Sequence, residues 1–243
     1  MADMIVYPDN RSFVDGSADF IAGLAVASIA ARDRFTIALS GGGTPRPIYA
    51  RLAVADHAGR IDWTKVHVFF SDERCVPPDD SRSNYRMARE ALLDHVPLPD
   101  GNIHRIRGED DPAQAALACE QDLQSVFRTS SVPVFDLVCL GLGDDGHTAS
   151  LFPGTAALRE HVRWVVPQYV EVMLSWRATF TTALINASRH VAFLVEGAGK
   201  SETLWRVLEG PYQPDVLPAQ LIQPISGELH WLVDAAAAVK MRS

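Results

Sequence analysis

Short apolar runs, each ending in polar or glycine-rich residues and each followed by a segment of helical character, constrain this chain most. The runs Phe35-Thr36-Ile37-Ala38-Leu39, Val66-His67-Val68-Phe69-Phe70, Val134-Phe135-Asp136-Leu137-Val138-Cys139-Leu140 and Val191-Ala192-Phe193-Leu194-Val195 are rich in β-branched and aromatic residues. Runs of that length without a helical period read as buried strands. Strand, helix and strand in repetition is the pattern of a parallel sheet covered on both faces.

The remaining segments fit the same plan. Met4-Ile5-Val6-Tyr7, closed by Pro8, reads as a strand, as do Trp164-Val165-Val166 and His230-Trp231-Leu232-Val233, the last followed by an alanine-rich tail helix. Ser12 reads as the N-cap of a long helix with Phe13, Phe20, Ile21, Leu24 and Ile29 among its apolar positions. Pro45 opens a helix to Val54, Asn84-Tyr85 leads one to Leu93, and Pro112 opens one to Phe127. Arg177-Ala178-Thr179-Phe180-Thr181 leads into a short helix through Ile185, and a further helix ends at Leu208. The expected fold is α/β, a three-layer α/β/α arrangement with a Rossmann-like, mainly parallel sheet. No repeat and no long linker divides the chain, so a single domain over 1–243 is expected.

Composition narrows the partners. A formal net charge of −8 with no basic run argues against nucleic acid and anionic membranes, which are held by clustered Lys and Arg. It also makes each well-placed cation more informative if the ligand is an anion. The scattered cysteines Cys75, Cys119 and Cys139 suit a reduced compartment and support neither a disulfide framework nor a zinc site. Met1-Ala2-Asp3-Met4-Ile5 does not read as a signal peptide, and residues 20–31 are too short and alanine-rich to span a bilayer. A cytoplasmic protein acting as a monomer is expected.

Four strand ends carry the candidate chemistry, and in a parallel sheet all carboxyl ends face one edge, where ligands bind. Ser40-Gly41-Gly42-Gly43-Thr44-Pro45 presents consecutive backbone N–H groups at a helix start, the arrangement of a phosphate cradle. It is neither the nucleoside-triphosphate nor the dinucleotide glycine pattern, and a ligand-free glycine turn is the competing reading. Asp72-Glu73-Arg74 and Glu196-Gly197-Ala198-Gly199-Lys200 supply Arg74 and Lys200 as anion-holding groups.

The fourth end, residues 141–154, carries Gly-Leu-Gly-Asp-Asp-Gly-His-Thr-Ala-Ser. Its His147 can take a proton from water and return it to a leaving oxygen. Alone, an Asp-Gly-His triplet fits a solvated turn as well as an active site. Asp72, Asp144 and Asp145 fit orienting, capping and solvated roles equally. No nucleophile elbow is present, so Ser150 is not expected to form an acyl-enzyme. The other histidines, at 57, 67, 95, 104, 161, 190 and 230, have no ligand-like spacing, and neither a metal nor another cofactor is expected.

Taken together, residues 40–45, Asp72-Glu73-Arg74 with Val76-Pro77 and Ser83-Asn84-Tyr85, and residues 141–154 resemble the signatures of the 6-phosphogluconolactonases, within the glucosamine/galactosamine-6-phosphate isomerase superfamily. The resemblance continues through residues 177–181 and 197–200. It implies hydrolysis of 6-phospho-D-glucono-1,5-lactone to 6-phosphogluconate in the oxidative pentose phosphate pathway. By matching position it implies His147, with Asp145, as the catalytic pair. It implies a sugar-phosphate lactone held by Ser40, Gly41, Gly42, Gly43, Thr44, Asp72, Arg74, Arg177 and Lys200. The lactonases often carry serine or threonine at the position of Gly43.

The related glucosamine-6-phosphate deaminases are the enzymatic alternative. They typically have tyrosine where Arg74 stands and Asn-Glu-Pro where Leu151-Phe152-Pro153 stands, and Phe152 cannot perform that glutamate's proton transfer. A non-catalytic sugar-phosphate sensor is the alternative outside enzymology.

Overall fold

The computed structural model describes residues 3–241. In chain order it begins with β1 (Asp3–Tyr7), α1 (Asn10–Arg32), β2 (Phe35–Leu39), α2 (Pro45–Leu52) and α3 (Ala55–Ala58). Next come β3 (Val66–Phe70), β4 (Asp72–Arg74), α4 (Asn84–Ala91), α5 (Pro112–Phe127) and β5 (Leu137–Gly141). The remainder is β6 (Val165–Val170), β7 (Ser175–Phe180), α6 (Thr182–Asn186), β8 (His190–Val195), α7 (Ser201–Leu208) and β9 (Glu228–Asp234). Residues Met1 and Ala2, part of the leader reading, lie outside the described residues.

Six strands form a parallel sheet in the order β1-β9-β8-β5-β2-β3. All five residues of β2 and the first four of β5 are buried, which requires cover on both faces and explains why these strands, Thr36 apart, are apolar rather than alternating. From β2 the chain proceeds outward to β3, whereas from β5 it proceeds the other way to β8 and β9. The reversal falls between β2 and β5, the topological switch point at which open α/β sheets bind ligands.

Several expectations need correction. The N-cap of α1 is Asp9, whose carboxylate accepts from Ser12 N at 2.7 Å, so Ser12 lies inside the helix. That helix is 23 residues long and contains an 18-residue window of mean hydropathy 1.5, long and apolar enough to cross a bilayer, contrary to the shorter stretch considered above. Its buried stripe of Phe13, Ser17, Ala18, Ile21, Ala22, Ala25 and Ser28 instead packs on β1, β2, β9 and α2. The alanine-rich tail forms only a short 3₁₀ turn, Ala237–Lys240.

The largest difference is a second sheet, antiparallel, in the order β4-β7-β6. Residues 72–74, expected as loop, are its first strand, and residues 177–180, expected to lead into a helix, lie in β7. It continues directly from the parallel sheet through Ser71, whose N–H bonds Leu39 O at 2.8 Å while its carbonyl accepts from Phe180 N at 2.8 Å.

Strand β5 starts at Leu137, not Val134, because Asp136 is turned toward β2. Its carboxylate accepts from Thr36 N at 2.8 Å and Thr36 Oγ1 at 2.9 Å, and pairs with Arg32 at 2.8 Å. Asp136→Ala would leave these buried donors unpaired. A loss of about 3 kcal/mol is expected, as for other broken buried pairs, measurable as a lower urea midpoint with an unchanged slope.

Candidate active site

The strand ends converge as the parallel topology requires. A cavity of about 310 Å³ opens over the switch point, walled by residues 40–45 from the end of β2, residues 141–143 from β5, and Leu194, Val195, Glu196 and Lys200 from β8. The small sheet adds Asp72, Arg74 and Arg177, and the loop after β5 adds His147, Ala149 and Phe152. Every predicted binding residue lines this cavity. Asp145 is not in its wall and stands behind His147.

The glycine loop leaves β2 pinned by Tyr49, whose hydroxyl accepts from Ser40 N at 3.0 Å and donates to Ser40 O at 3.1 Å. Gly42 has φ +109°, a conformation that side chains rarely adopt. At Gly41 a Cβ would lie 1.7 Å from Asn84 Oδ1, so only glycine lets the loop pass that side chain. The loop then runs into the amino terminus of α2, opened by Pro45, where backbone N–H groups and the helix dipole favour an anion.

The small sheet positions the guanidinium groups. Arg74 and Arg177 are register partners across β4 and β7, so they project from the same face. Arg177 is buried, and burial pulls its guanidinium below its usual range while Asp72, 4.0 Å away, opposes that shift. Both arginines have a buried Nε without a protein partner, as do Ser40 Oγ, Asn84 Oδ1 and Glu196 Oε2. Buried polar atoms are ordinarily satisfied. Five such atoms around one cavity mark a wall built to meet a polar ligand.

Below them, Glu73 organises the wall. Its carboxylate accepts from the N–H groups of Arg74, Asn84 and Tyr85 at 2.8, 2.7 and 2.8 Å and from Ser83 Oγ at 3.0 Å. Burial pushes its carboxyl up, against the pull of those backbone donors. Asp72 is similarly engaged, accepting from Ser150 Oγ at 2.6 Å and Asn84 Nδ2 at 3.1 Å. Ser150 is thus a buried donor to Asp72 and not an exposed nucleophile.

The loop after β5 sets the imidazole. Gly143 N donates to His147 O at 2.8 Å and Gly146 N to Gly143 O at 3.0 Å, closing a tight turn in which Gly146 has φ +80°. Asp145 Oδ1 accepts from His147 N at 3.0 Å and lies 2.5 Å from His147 Nδ1. Burial raises the Asp145 carboxyl, but the hydrogen bonds from His147 outweigh it and hold the group below its usual range. An ionised acceptor there puts the ring proton on Nδ1 and leaves the Nε2 lone pair free. Phe152 stacks on the imidazole at 4.0 Å and fixes the ring plane.

Geometry separates the aspartates that sequence leaves equivalent. Asp144 is exposed and pairs with Lys200 Nζ at 2.5 Å, so Lys200 lines the cavity already paired. An exposed pair of this kind is worth only about 0.2–1 kcal/mol, so a phosphate can compete for the ammonium. Three cations, Arg74, Arg177 and Lys200, face two carboxylates, Asp72 and Glu196, in a cavity within a chain of net charge −8. Asn84 and Glu196 were missed as wall residues. Asn84 stands in the Ser83-Asn84-Tyr85 motif already singled out in the sequence, and Glu196 ends a strand beside the predicted Lys200. The cysteines form no disulfide, and burial pushes the Cys75 thiol up to about 11.

Known proteins resemble this chain over most of its length. Residues 8–231 match the family described as glucosamine-6-phosphate isomerases/6-phosphogluconolactonase. The chain is 43% identical over 239 residues to the 6-phosphogluconolactonase of Nostoc sp., covering 97% of each chain. It is 45% identical over 218 residues to that of Synechocystis sp., covering 88% of each. The solved 6-phosphogluconolactonase of Trypanosoma brucei superposes with a TM-score of 0.87 at 29% identity, covering 100% of this chain and 99% of that one. The chain belongs to the glucosamine-6-phosphate isomerase/6-phosphogluconolactonase family.

Proposed function

We propose that this protein is a 6-phosphogluconolactonase, hydrolysing 6-phospho-D-glucono-1,5-lactone to 6-phosphogluconate in the pentose phosphate pathway as one catalytic domain. The observation that carries the reading is a single cavity with a carboxylate-oriented imidazole at one side and a glycine cradle with arginines at another.

In this reading the phosphate rests on the backbone N–H groups of residues 41–44 and is held by Arg74 and Lys200. The lactone carbonyl then lies against His147. Nε2 takes a proton from water as the water oxygen bonds to C1, and Asp145 stabilises the imidazolium formed. The tetrahedral intermediate collapses by breaking the bond from C1 to the ring oxygen, and His147 returns the proton to that oxygen. Arg177, buried with an unpartnered Nε, is the donor available to the developing oxyanion or to the phosphate.

Phe152 favours this chemistry over amino-sugar deamination. It occupies the place of the deaminase glutamate and carries no proton, and its ring is committed to stacking on His147.

The test is turnover of freshly generated 6-phosphogluconolactone, with spontaneous opening subtracted and glucosamine 6-phosphate as a control. Enzyme-dependent loss of the lactone and no ammonia from the amino sugar are expected. Deamination, or binding without turnover, overturns the proposal. Arg74→Ala should raise KM about 10–100-fold, since a charge-assisted hydrogen bond contributes ~1.5–3 kcal/mol, with a smaller change in kcat. Lys200→Ala should act in the same direction but less, because Asp144 already shares the ammonium. Unchanged KM in both variants would remove these residues from the phosphate site.

A further inference from the structure

At the opposite edge of the parallel sheet, the starts of β8 and β9 bring two imidazoles and a carboxylate together. His190 lies in register with Glu228, and Ala192 with His230. Residues two apart on a strand share a face, so all three side chains rise from the same side of the sheet. His190 Nδ1 is 3.2 Å from His230 Nε2, and Glu228 Oε2 is 3.6 Å from the first nitrogen and 3.5 Å from the second. The three atoms form a nearly equilateral triangle. A point equidistant from them lies about 2.0 Å from each, the length of a zinc–nitrogen or zinc–oxygen bond.

We propose that His190, Glu228 and His230 form a binding site for one divalent transition-metal ion of the zinc type, with its remaining coordination position open to solvent. Two imidazoles and a carboxylate are a donor set that suits zinc and leaves a place for water. Burial lowers the pKa of both imidazoles, which favours the neutral form that a metal requires. The two facing nitrogens share one hydrogen bond without metal. On binding, both present lone pairs, and the ring protons sit on His190 Nε2 and His230 Nδ1.

The surroundings allow access and set the strength. Glu228 is 70% exposed and His190 partly so, which opens the site to solvent, while Phe20 packs its edge on His230 at 4.9 Å and holds that ring. Asp3 and Asp136 lend negative potential. Arg32 and Arg189 oppose it, but both are paired with Asp136, at 2.8 and 3.6 Å. His230 Nδ1 is buried with no acceptor. Outer-shell acceptors of that kind contribute about 10–100-fold in affinity, so micromolar rather than nanomolar binding is expected. The 40-residue spacing of the histidines hides the site in sequence, because only strand register brings them together.

The test uses the full chain, stripped with chelator and titrated with Co²⁺ and then Zn²⁺. One equivalent of Co²⁺ should produce visible absorption bands of low-coordinate cobalt, displaced by one equivalent of Zn²⁺. His190→Ala and Glu228→Gln, with circular dichroism verifying the fold, should each lose more than about 100-fold in affinity, beyond an outer-shell effect. His147→Ala should bind as the parent does. No cobalt bands in the parent, binding that survives His190→Ala, or binding lost in His147→Ala would each overturn the proposal. None of the three residues lines the cavity of the proposed reaction, so the cobalt titration is read without measuring lactone turnover.

Discussion

His147→Ala is expected to reduce kcat for lactone hydrolysis by about 10²–10⁴-fold, the usual contribution of a positioned general base. KM should change little, since the groups assigned to the phosphate lie elsewhere in the cavity. The residual rate must be compared with spontaneous opening, because δ-lactones hydrolyse unaided. The size of the effect follows from the ring's preparation. Asp145 holds Nδ1, Phe152 covers one face, and among the described residues Nε2 has no protein partner. A variant that retains near-parental kcat would mean that water is activated by another group.

Gly143→Ala tests the same assignment without touching the imidazole. A Cβ at this position would lie 2.0 Å from His147 Nδ1 and 2.2 Å from Cε1. The three atoms nearest that Cβ all belong to His147, and the Gly143 backbone is outside the left-handed region, so alanine is compatible with the chain itself. The ring can rotate away, so stability should fall by no more than about 3 kcal/mol, the worth of the charge-assisted bond that rotation gives up. Rotation breaks the bond to Asp145 and moves Nε2 from its position. Misplacement by about 1 Å can cost about 10²-fold, and that loss is expected in kcat. Steady-state kinetics beside a urea titration would separate the two effects. A stable variant with parental kcat would mean that the orientation of His147 by Asp145 does not matter to turnover.

The parallel sheet and its loops are legible in the sequence for a physical reason. Strands covered on both faces are nearly continuous apolar runs, so 35–39, 66–70 and 191–195 stand out with only Thr36 and His67 as exceptions, and the glycines that follow β2 and β5 mark where the backbone turns toward a ligand. The antiparallel sheet is not legible in this way. Its strand β4 is three residues long and reads Asp-Glu-Arg, while β6 contains Pro167. Their pairing is set by tertiary contacts that outweigh local preference.

Polar partnerships follow the same division. His147 is recognisable from its glycine-flanked loop, but nothing in the string Asp144-Asp145 says which carboxylate meets the ring. The turn decides it, bringing Asp145 to Nδ1 and sending Asp144 to Lys200. Glu73 likewise reads as a charged loop residue and proves to be a buried acceptor for three backbone N–H groups, because the start of α4 folds over it. Asp9 and Ser12 exchange roles as cap and capped residue for a simpler reason, since both residue types suit an N-cap.

A crystal structure with 6-phosphogluconate bound tests the central claim most directly. The account predicts phosphate oxygens on the N–H groups of residues 41–44 and beside Arg74, with the C1 carboxylate within about 3 Å of His147 Nε2, the reach required of a general base. A product bound the other way round, with its phosphate on His147 and its carboxylate on the glycine loop, would contradict it.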